Sequence, residues 1–256
     1  STHSGVQRMK TFKSSTLLLA VAASAALALA GCSAPAESPS ASESAPAEQQ
    51  LQVPEASEIL PRTAEVIKNA TSVSMSGEIT QAGEVIKLDL AGTNDGSNSR
   101  AAVSLDAGSF ELLTVDNTAY LKADKAFFIE NAGKEAAGMI DSLVGEKWIS
   151  TSNASQFGDF NVGAMLKTMT SGDLEDFDSQ KFTDSSLEDL AGVKAFKYTG
   201  DENDYWIAAE GEPYLLQVEG SDAKGTGSGS MSFSDWNTVS PFTAPAKSET
   251  VSIPGL

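Results

Sequence analysis

The sequence predicts an α+β protein built on an antiparallel sheet. Three observations predict it: apolar and polar residues alternate with a period of two in two separate runs, tight turn signals join the members of each run, and stretches with helical spacing open the domain and divide the runs. No strand–helix–strand alternation, phosphate-binding loop or Gly-x-Gly-x-x-Gly is present, which disfavours the nucleotide-binding α/β architectures.

The first element is an export signal. Arg8, Lys10 and Lys13 form a basic region, and Leu17 to Ala30 follow as 14 residues interrupted only by Ser24. That run is shorter than the roughly 20 residues of a membrane-spanning helix and fits a secretory signal. Translation is expected to begin at Met9, because Met-Lys-Thr-Phe-Lys is a natural opening for such a signal. Leu29-Ala30-Gly31-Cys32 closes the apolar run and resembles the bacterial lipobox, whose cysteine is diacylated and becomes the first residue after cleavage. Cys32 is the only cysteine of the chain, so a structural disulfide within it is impossible. The alternative is ordinary secretion, since Ala28-Leu29-Ala30 also satisfies the small-x-small rule of a soluble-secretion peptidase and would leave Cys32 an idle thiol. Lipidation carries a physical meaning: one acyl chain holds a protein to a bilayer marginally, whereas two or three, at about 0.8 kcal/mol per buried CH₂, make attachment lasting.

Residues 33 to 50 read SAPAESPSASESAPAEQQ, without one branched aliphatic or aromatic side chain, and cannot build a core. Treated as a flexible coil, such a tether lets a folded domain float roughly 25 Å from the membrane. The expected organisation is a signal with an upstream extension over 1–31, a tether over 32–52 and a folded domain over 53–256.

Charge narrows the chemistry. The 256 residues hold 17 Lys plus Arg against 35 Asp plus Glu, a formal charge of -18, which repels nucleic acid phosphates and argues against a nucleic-acid partner. Loss of residues 1–31 would remove three of the basic residues and no acidic one, leaving 14 against 35 and a charge of -21. It would also remove His3, the one histidine. A histidine-free chain with an acylated cysteine cannot run Ser-His-Asp or Cys-His catalysis or ligate a metal through imidazole, and no cofactor is expected. Carboxylate chemistry and Ser-Lys pairs survive, yet no pair of them stands out, and the chain reads as a non-enzyme.

Within the domain, Ser57 is expected to cap a helix carrying Glu58 and Pro61 near its start, with Leu60, Ala64, Ile67 and Ala70 along one stripe. Five strands follow. Val73, Met75, Gly77 and Ile79 alternate with polar residues, and past a Gln-Ala-Gly turn Ile86, Leu88 and Leu90 do the same. Asn94-Asp95-Gly96 turns into Ala101, Val103 and Leu105, and Asp106-Ala-Gly108 leads to Phe110, Leu112 and the strand around Tyr120-Leu121-Lys122. Tight connections make this an antiparallel meander. One helical stretch from Phe127 to Val144 and a short helix after Asn161, with Val162, Met165, Leu166 and Met169, occupy the middle, as packing helices or as a lid. Strands return at Val193 to Thr199, Tyr205 to Ala208, Tyr214 to Val218 and Ser228 to Phe233, and Val251-Ser-Ile253 reads as an edge strand before Pro254.

This order, with Ser72-Val-Ser-Met-Ser-Gly77 after the helix, Gly145-Glu-Lys-Trp148 before the second middle segment, Gly211-Glu-Pro-Tyr214-Leu-Leu in the late hairpin and Phe233-Ser-Asp-Trp236 at its close, resembles the actinobacterial lipoproteins of the LppX and LprG type, whose fold is similar to that of the LolA and LolB carriers. The resemblance spans roughly 53–239. It implies a strongly curved antiparallel sheet, a half-barrel, with helices covering the concave face around an apolar cavity for acyl chains. The inward alternates Met75, Ile86, Leu88, Leu90, Val103, Leu105, Phe110 and Leu112, with Phe128, Ile140, Met165 and Met169 from the helices, are the candidate lining. A core filled by the same residues would leave the identical pattern. A palmitoyl-length chain exposes about fifteen methylenes at about 0.8 kcal/mol each, so a dry pocket offsets extraction from a bilayer.

Two acidic clusters, Asp173/Glu175/Asp176/Asp178 and Asp201/Glu202/Asp204, lack the spacing of an EF-hand and read as solvated loops, so no metal is expected. Tyr205, Trp206, Tyr214 and Trp236 suit either a carbohydrate platform or a closed sheet core. The expected function is a lipid-anchored protein on the outer face of the bacterial cytoplasmic membrane that binds or shuttles a hydrophobic, acylated ligand. A ligand-free envelope module binding protein or polysaccharide through its acidic face is the alternative.

Overall fold

The computed structural model describes residues 51–152, 160–168, 182–221 and 227–253. Cys32, the signal, the tether, Met169 and the Asp173 cluster lie outside them.

Helix α1 (Ala56–Asn69) buries Ile59, Leu60, Thr63 and Ile67; of the expected stripe Leu60 and Ile67 are buried, Ala64 is half-buried, and Ala70 is buried just past the helix end. Its cap differs from expectation. Ser57 lies inside the helix, and Glu55 holds the cap position in extended geometry without a side-chain hydrogen bond. The helix starts where the chain packs: Leu51, Val53 and Ala56 rest on the core, and the buried Tyr198 donates its hydroxyl hydrogen to the Pro54 carbonyl at 2.7 Å. Burial, together with the charges of Glu55 and Glu58, pushes the Tyr198 phenol well above its usual range, so it stays a donor.

Five strands then form the expected meander: β1 (Ser72–Gln81), β2 (Glu84–Thr93), β3 (Asn98–Leu105), β4 (Gly108–Val115) and β5 (Thr118–Ala123). At the β2–β3 turn the Asp95 carboxylate accepts hydrogen bonds from Thr93 Oγ1 at 2.6 Å and from the Ser97 N–H and hydroxyl at 2.9 and 2.7 Å. These donors hold its carboxyl down at about 2, the Thr93 hydroxyl contributing most.

The single helix expected from Phe127 to Val144 is two helices, α2 (Lys125–Ala132) and α3 (Lys134–Val144). They part at Gly133, whose φ of 86° belongs to the left-handed region that glycine enters without Cβ strain. Asp124 starts α2 by accepting from Phe127 N–H at 2.8 Å, while its other oxygen accepts from the Ser109 N–H and hydroxyl, each at 3.0 Å. One carboxylate thus ties the helix to β4. Asp124→Ala is expected to lower stability by about 1–2 kcal/mol, as cap removal does, and a guanidinium titration checks it.

After α3 comes a strand that periodicity missed, β6 (Trp148–Thr151), and then α4 (Val162–Thr168), whose Ala164 N–H donates to the Asn161 side chain at 2.8 Å, the expected start. A second unforeseen strand, β7 (Phe182–Leu190), precedes the expected β8 (Val193–Gly200), β9 (Asn203–Ala208), β10 (Leu215–Ser221) and β11 (Gly227–Ser234). The tail ends in β12 (Thr250–Ser252), the anticipated edge strand, which pairs parallel to β6.

Among the described residues twelve strands make one open sheet in the order β12-β6-β5-β4-β3-β2-β1-β11-β10-β9-β8-β7, with every pairing but β12–β6 antiparallel. Two meanders therefore meet at the β1–β11 seam. One row of side chains crosses that seam on a single face: Ile149, Leu121, Leu112, Ala101, Leu90, Met75 and Phe233 stand opposite one another in register and are all buried. The other face carries Ser74, Ser76, Glu78 and Thr80 of β1 opposite Ser234, Ser232, Ser230 and Ser228 of β11. Helices cover the apolar face: α4 packs on β1 and β2, and α2 on β4.

Candidate functional site

The described residues picked out as cavity lining belong to the apolar side of the domain, but its strands bury them unequally. Met75, Leu90, Val103, Leu112 and Phe110 are buried and belong to the core cluster. Ile86, Leu88, Leu105, Phe128, Ile140 and Met165 are half-buried and pack against that cluster from outside. Met169 lies beyond the described residues.

On β1 and β2 the division follows position along the strand, whereas Val103 and Phe110, in the same cross-strand row as Leu88, are buried. Where β1 begins and β2 ends, Val73, Met75 and Leu90 lie beneath helices and are closed from water. At the opposite ends of the same strands, near the β1–β2 turn, Ile79 pairs with Ile86, and Gly77 stands between Leu88 and Met231. Ile79, Ile86, Leu88 and Met231 are all partly exposed there. The floor continues across β11 and β10 as the cross-strand pair Gly229 and Gly220, which presents no side chain. A Cβ on Gly229 would meet Glu78 O and Ile79 Cγ1 at 3.4 Å, ordinary contact, whereas one on Gly220 would collide with Asn203 Oδ1. The sheet thus ends in a half-covered apolar shelf with a glycine floor, a feature that alternation alone could not have located.

The helical hairpin stands at one side of the shelf. Phe110 of β4 holds Phe127 at 5.1 Å and Phe160 at 5.4 Å between ring centres, and Phe127 meets Phe128 at 5.8 Å. Beyond this aromatic knot the hairpin is lightly held. α2 buries no residue, α3 buries only Ala137 and Val144, and Met139 and Leu143 of α3 are 66% and 65% exposed.

The other candidates resolve differently. Tyr205 and Trp236 are buried in the core cluster and Tyr214 stacks on Trp236 at 5.6 Å, whereas Trp206 is buried on the polar face, beneath the Lys197 ammonium and donating Nε1–H to Glu188 at 3.1 Å, so the four offer no exposed sugar platform. Asp201 and Glu202 are exposed in the β8–β9 turn, and among the described residues no group of three or more carboxylate, histidine or cysteine side chains could hold a metal ion. On the polar face two open grooves, of about 520 and 740 Å³, are lined mainly by Ser, Thr, Asp, Glu and Gly. No helix among the described residues is long and apolar enough to cross a membrane.

These features define an α+β protein with an open, one-side-covered antiparallel sheet. Neither a known protein family nor a curated protein matches the sequence. Among solved structures the chain is similar to an uncharacterized conserved protein from Thermus thermophilus, at 12% identity and a TM-score of 0.35 over 78% of this chain and 100% of that one. It is also similar to a DUF1329 family protein from Desulfovibrio piger, at 10% identity and a TM-score of 0.24 over 71% and 90%. MucB follows at 14% identity and a TM-score of 0.28, with 76% of this chain and 61% of that one covered.

Proposed function

We propose that this chain is a non-enzymatic lipoprotein of the bacterial cell envelope, moored by acyl chains on Cys32, that binds a hydrophobic, acyl-bearing ligand on the glycine-floored shelf. The observation that carries the reading is the burial gradient on one sheet face: the same apolar alternation is sealed under helices at one end and left half-covered at the other. Soluble proteins rarely leave contiguous apolar surface open without a use for it. An acyl chain laid along Ile79, Ile86, Leu88 and Met231 would exclude water from them, at about 0.8 kcal/mol per buried methylene. The half-barrel curvature implied by the lipoprotein resemblance, with α2 and α3 at its concave side, belongs to this reading. So does placement on the outer face of the cytoplasmic membrane, with the tether letting the shelf reach the bilayer or a neighbour.

Native mass spectrometry of the chain purified from its host in mild detergent tests the reading directly. A co-purifying lipid supports it. A ligand-free mass, with no binding of cis-parinaric acid added afterwards, ends it in favour of a ligand-free interaction module. Gly229→Leu is the specific variant: a Cβ there makes only ordinary contacts with Glu78 O and Ile79, and with the fold intact by circular dichroism cis-parinaric acid affinity should fall about tenfold or more as the shelf fills. The anchor is tested separately by Cys32→Ser, which should move the chain from the membrane fraction to the soluble one. Unchanged fractionation overturns lipidation and leaves the shelf untouched.

A further inference from the structure

The two edges of the sheet are finished differently. At one, β12 is three residues long and stands as a short cover over β6. At the other, β7 runs for nine residues, pairs with β8 on one side and, among the described residues, with nothing on the other. Natural edges are ordinarily blunted by charged side chains, Lys above all, by Pro, by short length or by a bulge. β7 has no Lys or Pro, its only irregularity is at its start, between Phe182 and Asp184, and its charges, Asp184, Glu188 and Asp189, are all of one sign, so they repel an acidic strand and leave the edge open to a basic one.

From this edge we infer that β7 accepts an added strand from a partner protein, an extended segment that alternates basic with apolar side chains. Register sets the alternation. Leu187 lies opposite Phe196, which lies opposite the buried Ile207, so Leu187 extends the apolar face outward and is itself 40% exposed. Asp184 stands opposite Thr199 and Glu188 opposite Ala195, both on the polar face, where Lys197 is already held between Glu188 and Asp204 at 3.9 and 4.0 Å. A strand beside β7 therefore meets Asp184 and Glu188 on one face and Leu187, with Asp189 beside it toward the β7–β8 turn, on the other, and cross-strand pairs of opposite charge favour basic residues opposite the carboxylates. A second copy of the chain fits worse. In antiparallel pairing centred on Ser186, Asp184 would face Glu188 twice, and each partner brings a formal charge of -18. The inference is independent of any ligand on the shelf.

The test is backbone amide exchange on the full chain in mild detergent, with the probe peptides acetyl-(Lys-Val)₄-amide and acetyl-(Glu-Val)₄-amide. The basic probe should slow exchange of β7 amides about tenfold or more, leave β12 unchanged and weaken as salt rises. Asp184→Lys, an exposed position, should weaken that probe about tenfold with the fold intact by circular dichroism. Leu187→Pro gives a second variant, tolerated on an edge but unable to complete the new ladder. No slowing with the basic probe, equal slowing with the acidic one, or protection, without any probe, of the β7 amides that point away from β8 each overturns the inference.

Discussion

Trp236→Ala is expected to lower the free energy of unfolding by about 3–5 kcal/mol, the range for removing a buried aromatic side chain. Three features place it at the upper end of effects in this chain. The indole is buried, lies flat on Tyr214 at 5.6 Å and Phe233 at 5.9 Å, and its Nε1–H donates to the Leu215 carbonyl at 2.9 Å. Its neighbour Asn237 donates its N–H to the Ser72 carbonyl and accepts from the Thr71 N–H at 2.7 Å, so the corner clamps the β10–β11 hairpin to the start of β1. Trp236→Phe keeps most of the apolar area and orphans the Leu215 carbonyl, and should cost about 1–3 kcal/mol. Denaturant titration of both variants separates packing from hydrogen bonding, and a Trp236→Ala loss below that of Trp236→Phe would contradict the account.

Gly77→Ala is the second large effect, although it adds one methyl group. A Cβ at Gly77 would press on the Ser230 carbonyl oxygen and stand 2.9 Å from Met231 Cα, both backbone atoms of the facing strand that cannot swing aside. The seam must open to admit it. Overpacking of this kind costs about 1–3 kcal/mol where side chains can yield, and a rigid backbone neighbour puts Gly77→Ala at or above the top of that range. Gly229→Ala, on the same face of the same seam, meets nothing closer than 3.4 Å and should change stability little. Amide exchange should speed selectively in β1 and β11 of Gly77→Ala. Equal behaviour of the two variants would sink the argument.

Much of the fold was legible because alternation is a local signal. The first meander, the β8–β11 hairpins, the α4 start at Asn161 and the edge character of Val251 all follow from side-chain period and turn residues. The exceptions have physical causes. β7 reads Phe-Thr-Asp-Ser-Ser-Leu-Glu-Asp-Leu, with too few apolar residues to alternate, because a sheet edge has little core to face. β6 is four residues long and is recognisable only through its partners β5 and β12, the second of which arrives about a hundred residues later. Gly133 and Gly138 both weaken the helical stretch in sequence, but apolar spacing continues across them, and only the left-handed turn at Gly133 shows which of the two breaks it. Ser57 has the chemistry of a cap, but the packing of Leu51 and Val53 on the core draws the helix start ahead of it.

The candidate site divides in the same way. Sequence alone determined which face of each strand is apolar, the absence of histidine beyond position 3 and the single cysteine at a lipobox-like position, since each is a property of residues and their immediate order. Tertiary structure alone decided that Met75 and Leu90 are sealed while Ile86 and Leu88 stand half-open, that Gly220 and Gly229 meet as a floor, and that β7 is left as an edge. A period of two says which way a side chain points. How much water reaches it depends on which helix or strand, from a distant part of the chain, lies over it.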